Sequence, residues 1–327
     1  MDYSIKTVDL VRCFGEIRAV DGVCLDVKPG EVFGLLGPNG AGKSTTLSML
    51  CTILKPTSGS AVVNGFDVVS HPHDVRGSVG IVFQDSSIDN RLTGRENMGM
   101  HAELYGVEKS LAKKRIEELL ALVELLERAD EPVKNYSGGM RRRLEIARGL
   151  IHHPKVLFLD EPTLGLDPQT RAKIWDYIKK LSREEDITII LTTHYMEEAQ
   201  ILCDRVGIID YGRIVALGPP DDLIKSVGED IVSLKLSDNS NAKVFENLDF
   251  VKRVDVGESV RLFLENGAQS IPAICEYAAK QGVKIVSLDL RTPTLNDVFL
   301  HHVGRELRPE HADGKQGTRH FMKRRGG

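Results

Sequence analysis

The sequence has no apolar run long enough to cross a bilayer. Its longest stretches, such as residues 156–159 and 187–191, are strand length, far short of the roughly 18 residues a membrane helix needs. Charge of one sign is also missing. Lys and Arg number 43 against 47 Asp and Glu, a net charge of -4, so no overall basic field argues for a nucleic-acid partner. The five cysteines (Cys13, Cys24, Cys51, Cys203, Cys275) are odd in number, scattered and without a CxxC pair. That argues against a thiolate metal centre, and leaves reduced, mostly buried thiols as the expectation. The amino-terminal MDYSIKTVDLV carries acidic residues and no apolar core, unlike a secretory leader. A cytosolic chain is expected, unless a partner holds it at a membrane. No internal repeat is visible.

What is present is an ordinary globular mixture, 41% hydrophobic and 28% charged over 327 residues, enough for one large domain and a smaller one. Strand-like and helical runs alternate up to about residue 217. A strand over 31–36 leads into a helix over 43–54, a strand over 79–83 precedes a helix-rich stretch, and short apolar strands return at 156–159, 188–191 and 206–209. This is the pattern of a buried parallel sheet, and the segment 95–150, with three helical patterns, reads as a helical insertion into an α/β core. Gly218-Pro219-Pro220-Asp221-Asp222 marks the exit from that core. Beyond it the expected order is strand 231–236, helix 242–248, strands 251–256 and 259–264, helix 270–281 and strand 284–290, the βαββαβ of a ferredoxin-like α+β unit. Ile271, Ile274 and Ala278 would form the buried stripe of its second helix. The domains are accordingly placed at 1–225 and 230–305, with a basic, disordered tail at 311–327.

Two glycine-rich loops look built for phosphate. The first, Gly37-Pro38-Asn39-Gly40-Ala41-Gly42-Lys43-Ser44-Thr45, stands between a strand and a helix and fits the pattern G-x-x-x-x-G-K-S/T. Its glycines let backbone N–H groups converge on phosphates at a helix N-terminus. Lys43 reaches the β and γ phosphates, and the Ser44 hydroxyl suits Mg²⁺. The second is Asn135-Tyr136-Ser137-Gly138-Gly139-Met140, which opens a helix and so forms a further anion site.

Three other strand ends carry polar groups. Residues 156–159 run into Asp160 and Glu161. There Asp160 is suited to hold Mg²⁺ through its water, and Glu161 to orient or deprotonate an attacking water. His194 follows the strand over 188–191 and could hydrogen-bond a γ-phosphate; Gln84 follows the strand over 79–83 and could bind Mg²⁺ or the water through its amide oxygen. By contrast His71, His73, His152, His153, His301 and His302 lack carboxylate or cysteine partners at ligand spacing and read as surface residues. Arg141, Arg142 and Arg143 read as a solvated helix face opposite Met140, Leu144, Ala147 and Ile151.

In this order the motifs resemble those of ATP-binding cassette (ABC) ATPases across residues 1 to about 225. The resemblance makes GPNGAGKST the phosphate loop, Gln84 the glutamine loop, YSGGM the signature, VLFLDE the second nucleotide motif, Gly165-Leu166-Asp167 the D-loop and His194 the switch histidine. Phe14 falls where the family has an aromatic that stacks on adenine. Tyr136 and Met140 depart from the commoner Leu and Gln of the signature. The tail segment TPTLNDVFL and the stretch THYMEEAQILCDRVGIIDYGRI resemble the daunorubicin-resistance type of these ATPases.

The resemblance implies a motor subunit that binds ATP and Mg²⁺ and dimerises head to tail with a second copy of itself. The signature of one chain would then cap the nucleotide of the other, through Tyr136, Ser137, Gly138, Gly139 and Asp167. It also implies a separate membrane-spanning permease of the two-gene ABC-2 export kind, placing the chain at the cytoplasmic face of the membrane. The alternative is a soluble cassette ATPase working on nucleic acid or ribosomes. Chromosome and repair types need a long coiled coil that the interval Ser44 to Ser137 cannot hold, and ribosome-acting types usually carry two cassettes. Every phosphate-contacting candidate precedes Asp230, so removing the residues after Asp230 is expected to spare nucleotide affinity.

Overall fold

A computed structural model describes residues 2–257 and 259–303. The expected basic tail at 311–327 lies outside the described residues. The chain opens with a hairpin, β1 (Ile5–Phe14) and β2 (Ile17–Val27), then runs through β3 (Val32–Leu36), helix α1 (Lys43–Leu50), β4 (Ser58–Val63), β5 (Phe66–Asp67), α2 (Pro72–Ser78) and β6 (Val79–Val82). Helices α3 (Gly94–Leu104), α4 (Lys109–Leu122) and α5 (Gly138–Gly149) follow. The chain returns as β7 (Val156–Asp160), α6 (Pro168–Glu185), β8 (Thr188–Thr193), α7 (Met196–Leu202), β9 (Arg205–Asp210), β10 (Arg213–Gly218) and α8 (Pro220–Val227). Then come β11 (Asp230–Leu236), a 3-10 helix (Asn239–Asn247), β12 (Val251–Val256), β13 (Val260–Leu264), α9 (Gly267–Lys280), β14 (Ile285–Arg291) and α10 (Leu295–Val303).

The central sheet has the order β10-β9-β3-β8-β7-β6, parallel except for β10 at its edge. Its middle strands are buried on both faces, and side-chain alternation sorts them between two cores. Leu157 and Leu159 of β7 face helices α6 and α7. Val156 and Phe158 face α1 and the antiparallel sheet β2-β1-β4-β5. The expected helical insertion is α3 to α5, with a core of its own around Met98, Leu120, Tyr136 and Leu144.

The second unit has the sheet order β12-β13-β11-β14, all neighbours antiparallel, which is the ferredoxin-like arrangement of βαββαβ. Its first helix is a 3-10 helix rather than the expected α-helix. Phe245 of this helix still seats fully in the core.

Three sequence expectations need correction here. The helix expected to reach residue 54 stops at Leu50, and Thr52 turns left-handed at φ 62°. Only Cys51 and Cys203 are buried, whereas Cys24 and Cys275 are exposed and Cys13 is intermediate. Helix α10 also crosses the boundary drawn around 230–305. Its Leu295, Val298 and Phe299 are fully buried in the core of the first unit beside Ile224 and Leu202.

Candidate functional site

Strand register places the polar strand ends together. Leu36 pairs with Thr193, Asp160 with Thr192, and Val82 with Leu159. The loop after β3, His194 after β8, Asp160 and Glu161 at the end of β7, and Gln84 beyond β6 therefore line one edge of one sheet, the carboxyl edge where ligands of open α/β sheets bind.

The loop 37–42 is shaped by contacts that only glycine permits at two places. A β-carbon on Gly37 would stand 2.2 Å from the Ile209 carbonyl oxygen, and one on Gly42, at φ 109°, 2.5 Å from that of Ala19. The second contact presses the β1–β2 hairpin against the start of α1. That hairpin carries Phe14, which ends β1 half-exposed, with the Arg12 guanidinium 4.7 Å over its ring. Pro38, Asn39 and Gly40 stand at the loop's outer rim, Ala41 is buried and donates to the Pro38 carbonyl, and Thr45 lies half-buried in the first turn of α1.

Lys43 is buried. Its Nζ donates to the carbonyls of Gly37 (2.8 Å) and Pro38 (3.1 Å) and stands 3.7 Å from Glu161 Oε1. His194 Nδ1 approaches the same carboxylate oxygen to 3.3 Å, close enough for charge interaction though without hydrogen-bond alignment. Burial pushes the Glu161 carboxyl up, but His194 and then Lys43 outweigh it, and the net shift is below the ordinary carboxylate value. Glu161 is thus an anion between two basic groups. Its backbone is left-handed at φ 47°, a conformation that costs a non-glycine residue about 1–3 kcal/mol unless neighbours hold it.

Oxygen donors converge on the neighbouring carboxylate. Ser44 Oγ donates to Asp160 Oδ1 over 3.2 Å, and Thr192 Oγ1 bonds the same oxygen. The Glu161 N–H donates to both the carbonyl and the hydroxyl of Thr192. Gln84 is exposed two residues beyond β6. Hard oxygen ligands at a phosphate loop are the set that Mg²⁺ prefers.

The signature divides into parts with different surroundings. Tyr136 is 2% exposed and donates its hydroxyl to the Arg128 carbonyl over 2.6 Å. Its side chain belongs to the core of the helical insertion, which corrects its assignment as a nucleotide contact. Ser137 caps α5 by accepting from the Met140 N–H, and it and Gly138 are exposed at the helix start. A concavity of about 190 Å³ opens there, lined by Ser137, Gly139, Met140, Arg143 and α6 residues such as Thr170 and Lys173, with none from the loop 37–45. Asp167 caps α6, accepting from the Thr170 N–H and hydroxyl, and those bonds hold its carboxyl below the ordinary value.

Sequence reasoning missed three groups. Arg142, read as solvated, is 7% exposed and bonded to the carbonyls of Phe83, Asp160, Glu161 and Pro162. The spacing Gly139, Arg142, Ile146, Gly149 on one stripe of α5 was a signal that the helix has a second buried face. Glu198, buried in α7, accepts from both the Thr163 hydroxyl and the Trp175 indole, joining the helix after His194 to the segment after Glu161. His152 is not a surface residue: it stacks on Tyr105 at 3.8 Å and bonds the Val79 carbonyl.

Comparison with known proteins places this geometry. Residues 20–164 match the family model described as ABC transporter, and residues 218–303 match the ATP-binding protein DrrA1-3-like, C-terminal domain. The daunorubicin/doxorubicin resistance ATP-binding protein DrrA of Streptomyces peucetius is 39% identical over 307 residues, 92% of each chain. The Nod factor export ATP-binding protein I of Ralstonia nicotianae is 40% identical, over 91% of this chain and 93% of its own. Among solved structures, cbiO1 of Clostridium perfringens, part of the cbiONQ transporter complex, superposes with a TM-score of 0.64 at 30% identity, covering 69% of this chain and 95% of its own. A dimeric ATP-binding cassette in a post-hydrolysis state, bound to ADP and Pi, gives 0.59 at 28% identity, covering 66% and 98%.

Proposed function

The chain belongs to the ABC transporter ATPases, of the subgroup that includes the drug-resistance ATP-binding proteins, and from that premise we propose that it is the ATP-hydrolysing motor of an ABC-2-type exporter. The observation that carries the reading is the convergence of Lys43, Ser44, Asp160, Glu161 and His194 at one sheet edge, in a chain that also bears the DrrA-like C-terminal domain. Among the described residues no helix is long and apolar enough to cross a membrane; in this reading the transport path belongs to a separate membrane-spanning permease. That partner would hold this chain at the cytoplasmic face of the membrane. The relatives are named for drug resistance and Nod factor export, which favours export over work on nucleic acid or ribosomes.

In this reading the loop 37–45 cradles the phosphates of ATP, Phe14 offers its exposed ring to adenine, and Ser44, Gln84 and Asp160 would hold Mg²⁺. When bound, the metal would supply neutralisation of phosphate charge. Phosphate oxygens draw Lys43 away from the Gly37 and Pro38 carbonyls and from Glu161. Losing one of its two basic neighbours, Glu161 becomes the stronger base, placed to orient and deprotonate the attacking water. His194 then turns from Glu161 to the γ-phosphate. The product is ADP and inorganic phosphate.

The concavity at Ser137 and Gly139 is lined by α5 and α6 alone, which favours a nucleotide arriving from a second copy of the chain. Each of two sites would then combine one chain's Lys43 and Glu161 with the other chain's Ser137, Gly138 and Gly139. To test the motor role, the chain is co-expressed with its candidate permease and ATP turnover is measured in membranes. Membrane association that requires the permease, and turnover that the permease stimulates, are expected. Turnover that depends instead on added RNA, DNA or ribosomes would overturn the reading.

A further inference from the structure

Arg142 sits on α5, one turn after the signature, and its guanidinium is aimed at the catalytic strand end of its own chain. Nε donates to the Pro162 carbonyl (2.8 Å), and Nη2 to those of Asp160 (2.8 Å) and Glu161 (3.2 Å). Nη1 donates to the Phe83 carbonyl (2.6 Å) and to Glu145 Oε2 (3.0 Å). The carbonyls of residues 160, 161 and 162 are thus gathered by one planar fork, at the place where Glu161 takes its left-handed backbone. The same helix grips the segment around Gln84 further on: Glu145 accepts from the Ser87 N–H, and Arg148 donates to the Ser87 carbonyl.

We propose that Arg142 is a positioning residue, which fixes Glu161 of its own chain from the helix whose first turn meets the other chain's nucleotide. A left-handed Glu161 is held by groups on two sides, Thr192 on its N–H and Arg142 on its carbonyl and both neighbouring carbonyls. A buried carbonyl deprived of its donor is costly, so the backbone of Glu161 follows the guanidinium. Because the guanidinium is rigidly spaced and α5 is buried on both faces, the position of α5 fixes Glu161 and Phe83 of its own chain through one side chain. The proposal rests on the signature acting between chains.

Arg142→Ala and Arg142→Lys are made in the full-length chain. Misplacing a catalytic group by about 1 Å costs about a hundredfold in rate, so Arg142→Ala is expected to lower kcat by that factor while KM for ATP changes less than about threefold. Arg142→Lys, which keeps the charge but not the fork, should fall between and serves in place of the alanine variant if that one does not fold. A wholly structural role predicts loss of ATP affinity together with kcat. Mixed dimers then locate the defect. If Arg142 serves its own chain's Glu161, mixing the variant with Ser137→Arg puts both defects in one site and restores turnover, whereas mixing it with Lys43→Ala restores none. Rescue by Lys43→Ala instead, or by neither, overturns the proposal. The reference mixture of Lys43→Ala with Ser137→Arg separates the premise from the proposal: rescue there without the Arg142 pattern sinks Arg142 alone, and no rescue there sinks both.

Discussion

A β-carbon added to Gly139 would stand 2.3 Å from Cγ2 of Thr170, because α5 and α6 begin side by side. At Gly138 the nearest atom, Cδ2 of Leu166, is 3.9 Å away, an ordinary contact. Two adjacent glycines of one motif therefore have different constraints. Gly139→Ala is expected to lower stability by about 1–3 kcal/mol, the cost of overpacking, seen as a drop in the urea midpoint. Gly138→Ala is expected to unfold like the wild type and yet lose turnover, because in the proposed dimer that position faces the second chain. Equal midpoints for the two variants would refute the distinction.

Glu161→Gln keeps the shape of the side chain and removes the carboxylate proposed to polarise water. ATP binding should persist, turnover should fall at least about a hundredfold, and an ATP-bound dimer should accumulate. Size exclusion with ATP and a phosphate-release assay read both effects, and hydrolysis near the wild-type rate would remove Glu161 from the role proposed for it.

Lys43→Ala and Ser137→Arg homodimers should each be inactive, since both of their composite sites are damaged. In a mixed dimer one site collects both defects and the other none, so mixing two dead proteins should restore about a quarter of wild-type sites under random pairing in a two-fold dimer. The control is wild type mixed with the double variant. Turnover there beyond that of the wild-type homodimers, with none in the first mixture, would place the signature in its own chain's site.

Removing everything after Asp230 should do more than detach an accessory domain, because it uncovers the faces of α7 and α8 that Leu295, Val298 and Phe299 bury. Phe299→Ala tests this within the full chain. Emptying a fully buried phenylalanine site typically costs about 3–5 kcal/mol, and here the loss should appear in thermal unfolding of the nucleotide-binding core. A thermal midpoint unchanged in Phe299→Ala would mean that α10 contributes nothing there.

His101 is held at about 4, below its ordinary 6.5, first by burial and then by the nearby charges of Arg148 and His152. The unfolded chain takes up a proton at this residue near pH 6.5 and the folded chain does not until about pH 4. Stability is therefore complete above pH 6.5 and declines as pH falls through that interval. His101→Phe, which keeps a ring beside Tyr105, should flatten the decline in urea midpoint between pH 6.5 and 5. An identical slope in the variant would show that His101 is charged in the folded state.

The α/β core, the phosphate loop and the polar strand ends were legible because their signals are local. Gly42, Lys43 and Ser44 must follow a strand and open a helix, and the apolar run before Asp160 can only be a buried strand. The ferredoxin-like unit was legible for the same reason, its βαββαβ order being written in successive short periods. What local reading could not supply was the partner of each side chain across the fold. Tyr136 sits inside a phosphate-binding motif and yet packs among helices. Arg142 lies in a run of three arginines that looks solvated, and its four carbonyl partners come from two strand ends 18 to 59 residues away.

Helix α10 shows the same division at larger scale. Its amphipathic sequence determines that it is a helix with one face to bury, but the sequence places it after a separate domain, and the choice of surface depends on what α7 and α8 leave uncovered. Composition and period determined an α/β core with a second small domain, and the motifs in their order carried the resemblance to cassette ATPases. Tertiary structure alone decided which charges are buried, which glycine is steric and which helix closes the core, because burial and hydrogen bonding are properties of residues brought together from distant parts of the chain.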